Sequence, residues 1–284
     1  MTGLKRNRPD QDETAGAHER VWGEEGTRFR GWHEDCIPEV QPQQPTTPAV
    51  KMIFRQLFEP ISSTYTYLIG DPVTRRAALI DPVFVDVDQY ISLLDELGLT
   101  LAYTLETHVH ADHVTAGDEL RRRLGSRTVV HKDGGADCAN VLVEHGDTIQ
   151  IGELSLEVRE TPGHTSGCVA YVAPDRVFTG DTLLIGGCGR TDFQQGSAEQ
   201  LYDSVHRELF SLNGDTLVFP AHDYKGRTVS TIKEERALNA RLGGGRSKEE
   251  FVQIMANLNL AYPKQIDVAV PANQRCGRVE RQSA

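Results

Sequence analysis

The chain has 284 residues, enough for one large domain with a well-buried core or for two small ones. Its formal net charge of −11 argues against a general nucleic-acid or anionic-membrane surface, which needs clustered Lys and Arg. An anionic small substrate is still compatible, because a local arginine pocket can sit on an acidic surface. No apolar run approaches the ~20 residues of a membrane span.

Residues 1–30 show no apolar stretch of the kind found in signal peptides. They also carry Asp10, Asp12, Glu13, Glu19, Glu24 and Glu25, unlike an acid-poor transit peptide. The expected compartment is the cytoplasm. Cys36, Cys138, Cys168, Cys188 and Cys276 are scattered and form no C-x-x-C, so reduced thiols are expected rather than a disulfide framework or zinc ribbon.

Residues 1–50 hold no sustained period of 2 or 3.6 and close in Gln41-Pro42-Gln43-Gln44-Pro45, so they read as a disordered or extended tail. Trp22, Phe29 and Trp32 are its stray aromatics. A single domain is expected over 51–284. Met52–Phe58, Thr64–Ile69 and Ala77–Asp81 read as strands. Val87, Tyr90, Ile91, Leu94 and Leu97 repeat at helical spacing, with Gly98 as the stop. Leu101–Thr107 is a strand running straight into a histidine cluster. Thr115-Ala116-Gly117-Asp118 has the form of a capping box for a helix ending at Gly125. Short strands follow at Thr128–His131, Thr148–Ile151, Leu154–Arg159, Cys168–Val172 and Arg176–Phe178. Helices at Glu199–Leu209, Thr228–Leu242 and Lys248–Asn257 flank a strand at Leu217–Phe219. Interleaved strands and helices with many hairpin-length turns predict an α/β protein, two packed mixed sheets with helices outside.

The chemistry is concentrated in Thr107-His108-Val109-His110-Ala111-Asp112-His113. Three imidazoles and a carboxylate in one tight turn can aim neutral nitrogens and an anionic oxygen at one volume, as a transition metal requires. Burying them unpaired would cost several kcal/mol. Three more segments end strands in matching donors. These are Gly163-His164-Thr165, Gly180-Asp181-Thr182, where Gly180 lets the backbone approach closely, and Ala221-His222-Asp223. His18, His33, His131, His145 and His206 are isolated and carry no such signal.

The order H-x-H-x-D-H, G-H-T, G-D-T, A-H-D resembles the metallo-β-lactamase superfamily, whose fold is an αββα sandwich. Within it the chain is similar to the persulfide dioxygenases. The resemblance rests on Glu106–His113, on Gly186-Gly187-Cys188-Gly189-Arg190-Thr191-Asp192-Phe193-Gln194-Gln195-Gly196 and on Ile266–Asn273, and it covers roughly residues 52–277. It implies one Fe(II) per chain on His108, His164 and Asp181, a facial set of two imidazoles and one carboxylate that leaves coordination positions open. It implies that His110, Asp112, His113 and His222 stay off the iron and orient its surroundings, although donors for a second metal are all present. The implied reaction converts glutathione persulfide, dioxygen and water to sulfite and glutathione, with Tyr224 beside the reacting oxygen. Arg190, Arg241 and Asn273 fall where the family's substrate pocket draws its partners, and the family commonly forms homodimers. Cys188 lacks a base partner and reads as packing.

Two alternatives stand beside this reading. A glyoxalase II-like thioesterase would use two metals on the same histidines, but that family has a longer helical C-terminal region. A metal-binding scaffold without turnover, or a sulfur carrier, fits poorly with a complete ligand set and open positions.

Overall fold

The computed structural model describes residues 51–278, and the expected N-terminal tail lies outside the described residues. Six strands make the first sheet in sequential order: β1 (Ile53–Glu59), β2 (Thr64–Gly70), β3 (Arg76–Ile80), β4 (Thr100–Leu105), β5 (Arg127–His131) and β6 (Val141–Val143). β1 to β3 form an antiparallel meander, and β3 to β6 run parallel. The parallel steps need crossovers. These are α1 (Val87–Leu97) between β3 and β4 and α2 (Gly117–Leu124) between β4 and β5. Gly98 ends α1 in the left-handed conformation, as its position suggested.

The second sheet has the order β12-β11-β10-β9-β8-β7. It comprises β7 (Thr148–Ile151), β8 (Leu154–Glu160), β9 (Val169–Val172), β10 (Arg176–Gly180), β11 (Leu217–Pro220) and β12 (Ser230–Thr231). Around it lie α3 (Ala198–Ser204), continued by a π turn at Val205–Leu209, then α4 (Ile232–Leu238) and α5 (Lys248–Ala256). A last helix, α6 (Ile266–Asn273), contains Pro271.

Three apolar clusters account for the layering. Tyr67, Ile69, Leu105, Ile151, Val158, Tyr171, Phe178 and Phe219 fill the space between the sheets. Leu79, Tyr90, Leu94, Leu101 and Leu120 join α1 and α2 to the outer face of the first sheet. Val177, Leu201, Val218, Ile232 and Phe251 join α3, α4 and α5 to the second. The alternation in Leu154, Leu156 and Val158, buried between exposed Ser155 and Glu157, is the period-2 signature of a strand with one face on the core. The expected sandwich of two mixed sheets with helices outside is therefore the fold.

Three expectations are corrected and one strand was not anticipated. The Thr115 capping box is absent: the Thr115 hydroxyl donates to Glu106 Oε1, and no side chain caps α2. The predicted helix over 228–242 shortens to α4, because Ser230–Thr231 pairs with β11 and the Thr231 hydroxyl caps the helix by accepting from Glu234 N. The three-residue β6 carried too little pattern to be read. Lastly, Cys138 and Cys276 are joined in a disulfide. Their separation of 138 residues hid the pairing, which arises only when α6 returns to the β5–β6 connection.

The inter-sheet core generates a direct test. Phe178 is fully buried and meets Tyr67 and Phe219 at ring-centroid distances of 5.0 and 5.8 Å. Phe178→Ala is expected to lower unfolding free energy by about 3–5 kcal/mol in urea titrations. A loss below about 1 kcal/mol would mean that the sheets do not share this core.

Candidate metal centre

Four strand ends converge on one edge of the sandwich. β4 delivers the 106–113 loop, β8 leads into His164, β10 into Asp181 and β11 into His222. The donor atoms of His108, His164 and Asp181 all lie within 4.8 Å of one another, as do those of His110, Asp112 and His113. His164 Nε2 is 3.5 Å from Asp181 Oδ2, and His222 Nε2 is 3.6 Å from both Asp181 Oδ1 and Asp112 Oδ2. His222 thus stands between the two sets.

The ring tautomers follow from what each Nδ1 touches. His164 Nδ1 donates to the Arg190 carbonyl at 2.7 Å and His222 Nδ1 to the Ser63 carbonyl at 3.0 Å, since a carbonyl can only accept. His113 Nδ1 donates to Asp112 Oδ2 at 2.9 Å. The Thr107 hydroxyl gives its proton to Asp81 Oδ2 at 2.8 Å and so accepts from His108 Nδ1 at 3.0 Å. Each of these rings turns its Nε2 inward, the arrangement that fixes imidazoles as metal ligands.

His110 differs. Its Nε2 lies 3.1 Å from Asp81 Oδ1 and 3.7 Å from Glu106 Oε2, without hydrogen-bond alignment. Among the described residues, His110 Nδ1 and Nε2, His113 Nε2 and Asp181 Oδ1 are buried donors or acceptors without a hydrogen-bond partner. Buried polar atoms are rarely left so, and their crowding here fits a cation.

The electrostatics favour neutral His108 and His110 and ionised Asp112 and Asp181. Burial, then the neighbouring His110 and His164, pushes His108 well below the usual imidazole range; burial, then His113, does the same to His110. Burial would raise Asp112, but His113 and His222 outweigh it and hold it well below the carboxylate range; His222, His164 and His108 do the same more mildly for Asp181. At His222 burial opposes charge, yet Asp181 and Asp112 prevail and lift the imidazole to about 9. Behind the loop, burial and then the charge of Asp81 push Glu106 far up, so Glu106 keeps its proton.

The residues from 61 to 222 match the family model described as the metallo-beta-lactamase superfamily. The chain is 55% identical over 229 residues to the human mitochondrial persulfide dioxygenase ETHE1, covering 80% of this chain and 89% of that protein. The crystal structure of ETHE1 from Myxococcus xanthus superposes with a TM-score of 0.79 at 57% identity, covering 80% of this chain and 100% of that one. This chain is a member of the persulfide dioxygenase family. A hydroxyacylglutathione hydrolase from Thermosynechococcus vestitus is more distant, 35% identical over 208 residues, covering 72% of this chain and 78% of that protein.

In this family member the residues expected at the substrate each have partners within the chain. Arg190 forms an ion pair with Asp192, donates to the Ala261 carbonyl at 2.8 Å and lies over the Phe193 ring. Arg241 donates to the Cys188 carbonyl at 2.7 Å. Asn273 is bonded to the histidine loop. Its Oδ1 accepts from Thr115 N, and its Nδ2 donates to the His110 and His113 carbonyls at 2.9 and 2.8 Å. Its amide is spent on the shape of the histidine loop. Tyr224 is 74% exposed, its ring parallel to His222 at 6.0 Å between centroids. A cleft of about 300 Å³ runs past Val109 and Thr165, the neighbours of His108 and His164, and its wall includes Asp133, Ser166, Gln195 and Gln274.

Sequence reasoning missed the supports. Asp81, at the end of β3, accepts from Thr107 N at 2.7 Å as well as from the Thr107 hydroxyl. Glu235, buried, accepts from Gly186 N, Ser230 Oγ and Asn239 Nδ2, which braces the 186–190 loop carrying the Arg190 carbonyl. At Gly189 a Cβ would lie 2.6 Å from the Asp181 carbonyl and 2.8 Å from His164 Nδ1. The only local signal for these was the glycine density of that loop.

The close approach assigned to Gly180 is present: φ is +53°, and a Cβ would lie 2.6 Å from Thr107 Oγ1. Gly180→Ala is expected to cost about 1–2 kcal/mol for the left-handed backbone alone. It should also push aside the hydroxyl that orients His108. Elemental analysis should then find less metal per chain than in the parent; full metal loading in a stable variant would remove Thr107 from that role.

Proposed function

We propose that this persulfide dioxygenase uses one Fe(II), held by His108, His164 and Asp181, to oxidise glutathione persulfide with dioxygen and water to sulfite and glutathione. The observation that carries this reading is the two-imidazole, one-carboxylate set within 4.8 Å, in a chain 55% identical to a persulfide dioxygenase. Iron in such a set supplies open positions where dioxygen is activated beside a sulfur ligand. The chain's own residues do the rest. Thr107 and the Arg190 carbonyl hold two rings in the ligating tautomer. The cleft past Val109 and Thr165 gives the peptide part of the substrate a seat beside those rings, so that the terminal sulfur is presented rather than met by chance. Tyr224, stacked on His222 at 6.0 Å between centroids, would offer its hydroxyl to the reacting oxygen.

His110 turns its Nε2 to Asp81 Oδ1 and Glu106 Oε2, 3.1 and 3.7 Å away, and its Nδ1 to Asp112 Oδ1 at 3.9 Å. The binuclear thioesterase reading keeps one observation in its favour, the complete set His110, Asp112, His113 and His222. Homodimerisation and a cytoplasmic location belong to the same proposal. The named human relative is mitochondrial.

Protein from iron-replete cells is expected to carry about one iron per chain and to consume oxygen with glutathione persulfide. His164→Ala should lose most iron and activity together. Two zinc ions per chain with full thioesterase turnover and no oxygen uptake would select the hydrolase instead.

Arg190 is proposed to share its guanidinium between Asp192 and a substrate carboxylate. A charge-assisted hydrogen bond contributes about 1.5–3 kcal/mol. Arg190→Gln should therefore lower kcat/KM roughly ten- to a hundredfold at normal iron content, with Arg190→Lys recovering part because an ammonium lacks the planar fork. Unchanged kinetics in the folded, iron-loaded variant would withdraw Arg190 from the substrate.

A further inference from the structure

We propose that the Cys138–Cys276 disulfide is a latch on the histidine loop, opened and closed by exchange with a small thiol of the glutathione class. It ties the β5–β6 connection to the turn just after α6. That turn is where the C-terminal segment grips the metal loop. Asn273 bonds Thr115 N and the His110 and His113 carbonyls, and the Cys276 carbonyl accepts from Asp118 N at 2.8 Å at the start of α2. Gly277, at φ +91°, approaches so closely that a Cβ would lie 2.0 Å from the Thr115 carbonyl.

The Arg278 guanidinium also pairs with Asp118 at 2.8 and 3.0 Å, and apolar packing contributes little. α6 is eight residues long, contains Pro271 and has no side-chain cap. Its buried Ala269 and Ala272 belong to none of the three apolar clusters that fasten the other layers. Cys276 itself sits at φ +57°, a backbone conformation that non-glycine residues adopt at a cost. Polar bonds and one covalent link therefore set the position of Asn273.

The link is open to reagents from one side. Cys138 is half-buried and lines a cleft of about 600 Å³ with Asp137, Pro271 and Arg275, whereas Cys276 is 1% exposed. A thiolate RS⁻ entering the cleft attacks Cys138 Sγ, and the disulfide bond breaks with its electron pair passing to Cys276 Sγ, which takes up the proton. The mixed disulfide Cys138–S–S–R then reacts with a second thiol, releasing RSSR and leaving both cysteines reduced. The reverse sequence, with RSSR as oxidant, closes the latch. Cys168 and Cys188 play no part: both are buried, and burial lifts their thiols to about 12 and about 11, so the thiolate is scarce near neutral pH.

The latch rests on the proposed function only in that the 108–113 loop is the metal loop, and its tests use no persulfide. The full-length protein is incubated with reduced glutathione, trapped with iodoacetamide and mapped by peptide mass for Cys138 and Cys276. Amide hydrogen exchange and melting temperature are followed in parallel. Cys138 and Cys276 should be unlabelled before reduction and labelled after it. Exchange at residues 110–118 should then rise about tenfold or more while β9 and β10 stay protected, and the melting temperature should fall by roughly 5–15 °C. Cys138→Ser should reproduce the reduced state without added thiol, and added oxidised glutathione should not restore its protection. If that variant does not fold, the glutathione titration of the parent protein decides alone. Free Cys138 and Cys276 in protein treated with oxidised glutathione, or a reduced protein with unchanged exchange at 110–118, would overturn the latch.

Discussion

The Asp81 carboxylate is the fixed point from which the centre is built. It is buried at the end of β3 and receives both the amide and the hydroxyl of Thr107. That double contact turns the chain sharply out of β4 and passes orientation to His108 through the same hydroxyl. Thr107 also accepts from Val169 N, and the Tyr171 hydroxyl donates to the Glu106 carbonyl, so the second sheet is bound to the first at the same residues. Gly180 is bare because Thr107 occupies the space of its side chain. Remove the carboxylate, and the loop, the inter-sheet joint and the ring tautomer lose their common support.

The donors are assembled at an energetic cost that the apo protein distributes. Neutral imidazoles lower the cost of burial, so His108 and His110 are held well below their ordinary pKa. The acids divide their roles. Asp112 and Asp181 stay ionised next to imidazoles, while Glu106 keeps its proton beside Asp81. A cation placed among these groups satisfies atoms that the protein leaves without hydrogen bonds, which ties the affinity of the site to the stability of the fold around it.

Positioning falls to loops anchored from a distance. Glu235 and Asn239, at the far end of the sequence from the histidine cluster, hold Gly186 and Gly187 in place. Arg241 holds the Cys188 carbonyl, and this loop supplies the carbonyl that orients His164. Asn273 clamps the other loop. Two amides, a carboxylate and a guanidinium from the C-terminal third thus shape two loops whose ligands come from the middle of the chain. Arg190 and Asn273 also serve these loops, through a backbone carbonyl and a side-chain amide.

The donors themselves were legible in the amino-acid order, because strand-end glycines next to His and Asp are local features. So were the two-sheet architecture and most strands, since alternation and turn residues act over a few positions. What depends on distant pairing was not legible. Asp81 looks like any strand-end acid until β4 pairs with β3 and brings Thr107 to it. The Thr115 hydroxyl donates to Glu106, which reaches it only once the 106–113 loop folds back over the start of α2. The Cys138–Cys276 pair, 138 residues apart, carries no spacing motif and becomes visible only once α6 folds back. Local chemistry was written in the order of the residues; which atoms complete that chemistry was decided by the packing of two sheets and the return of the C-terminal helix.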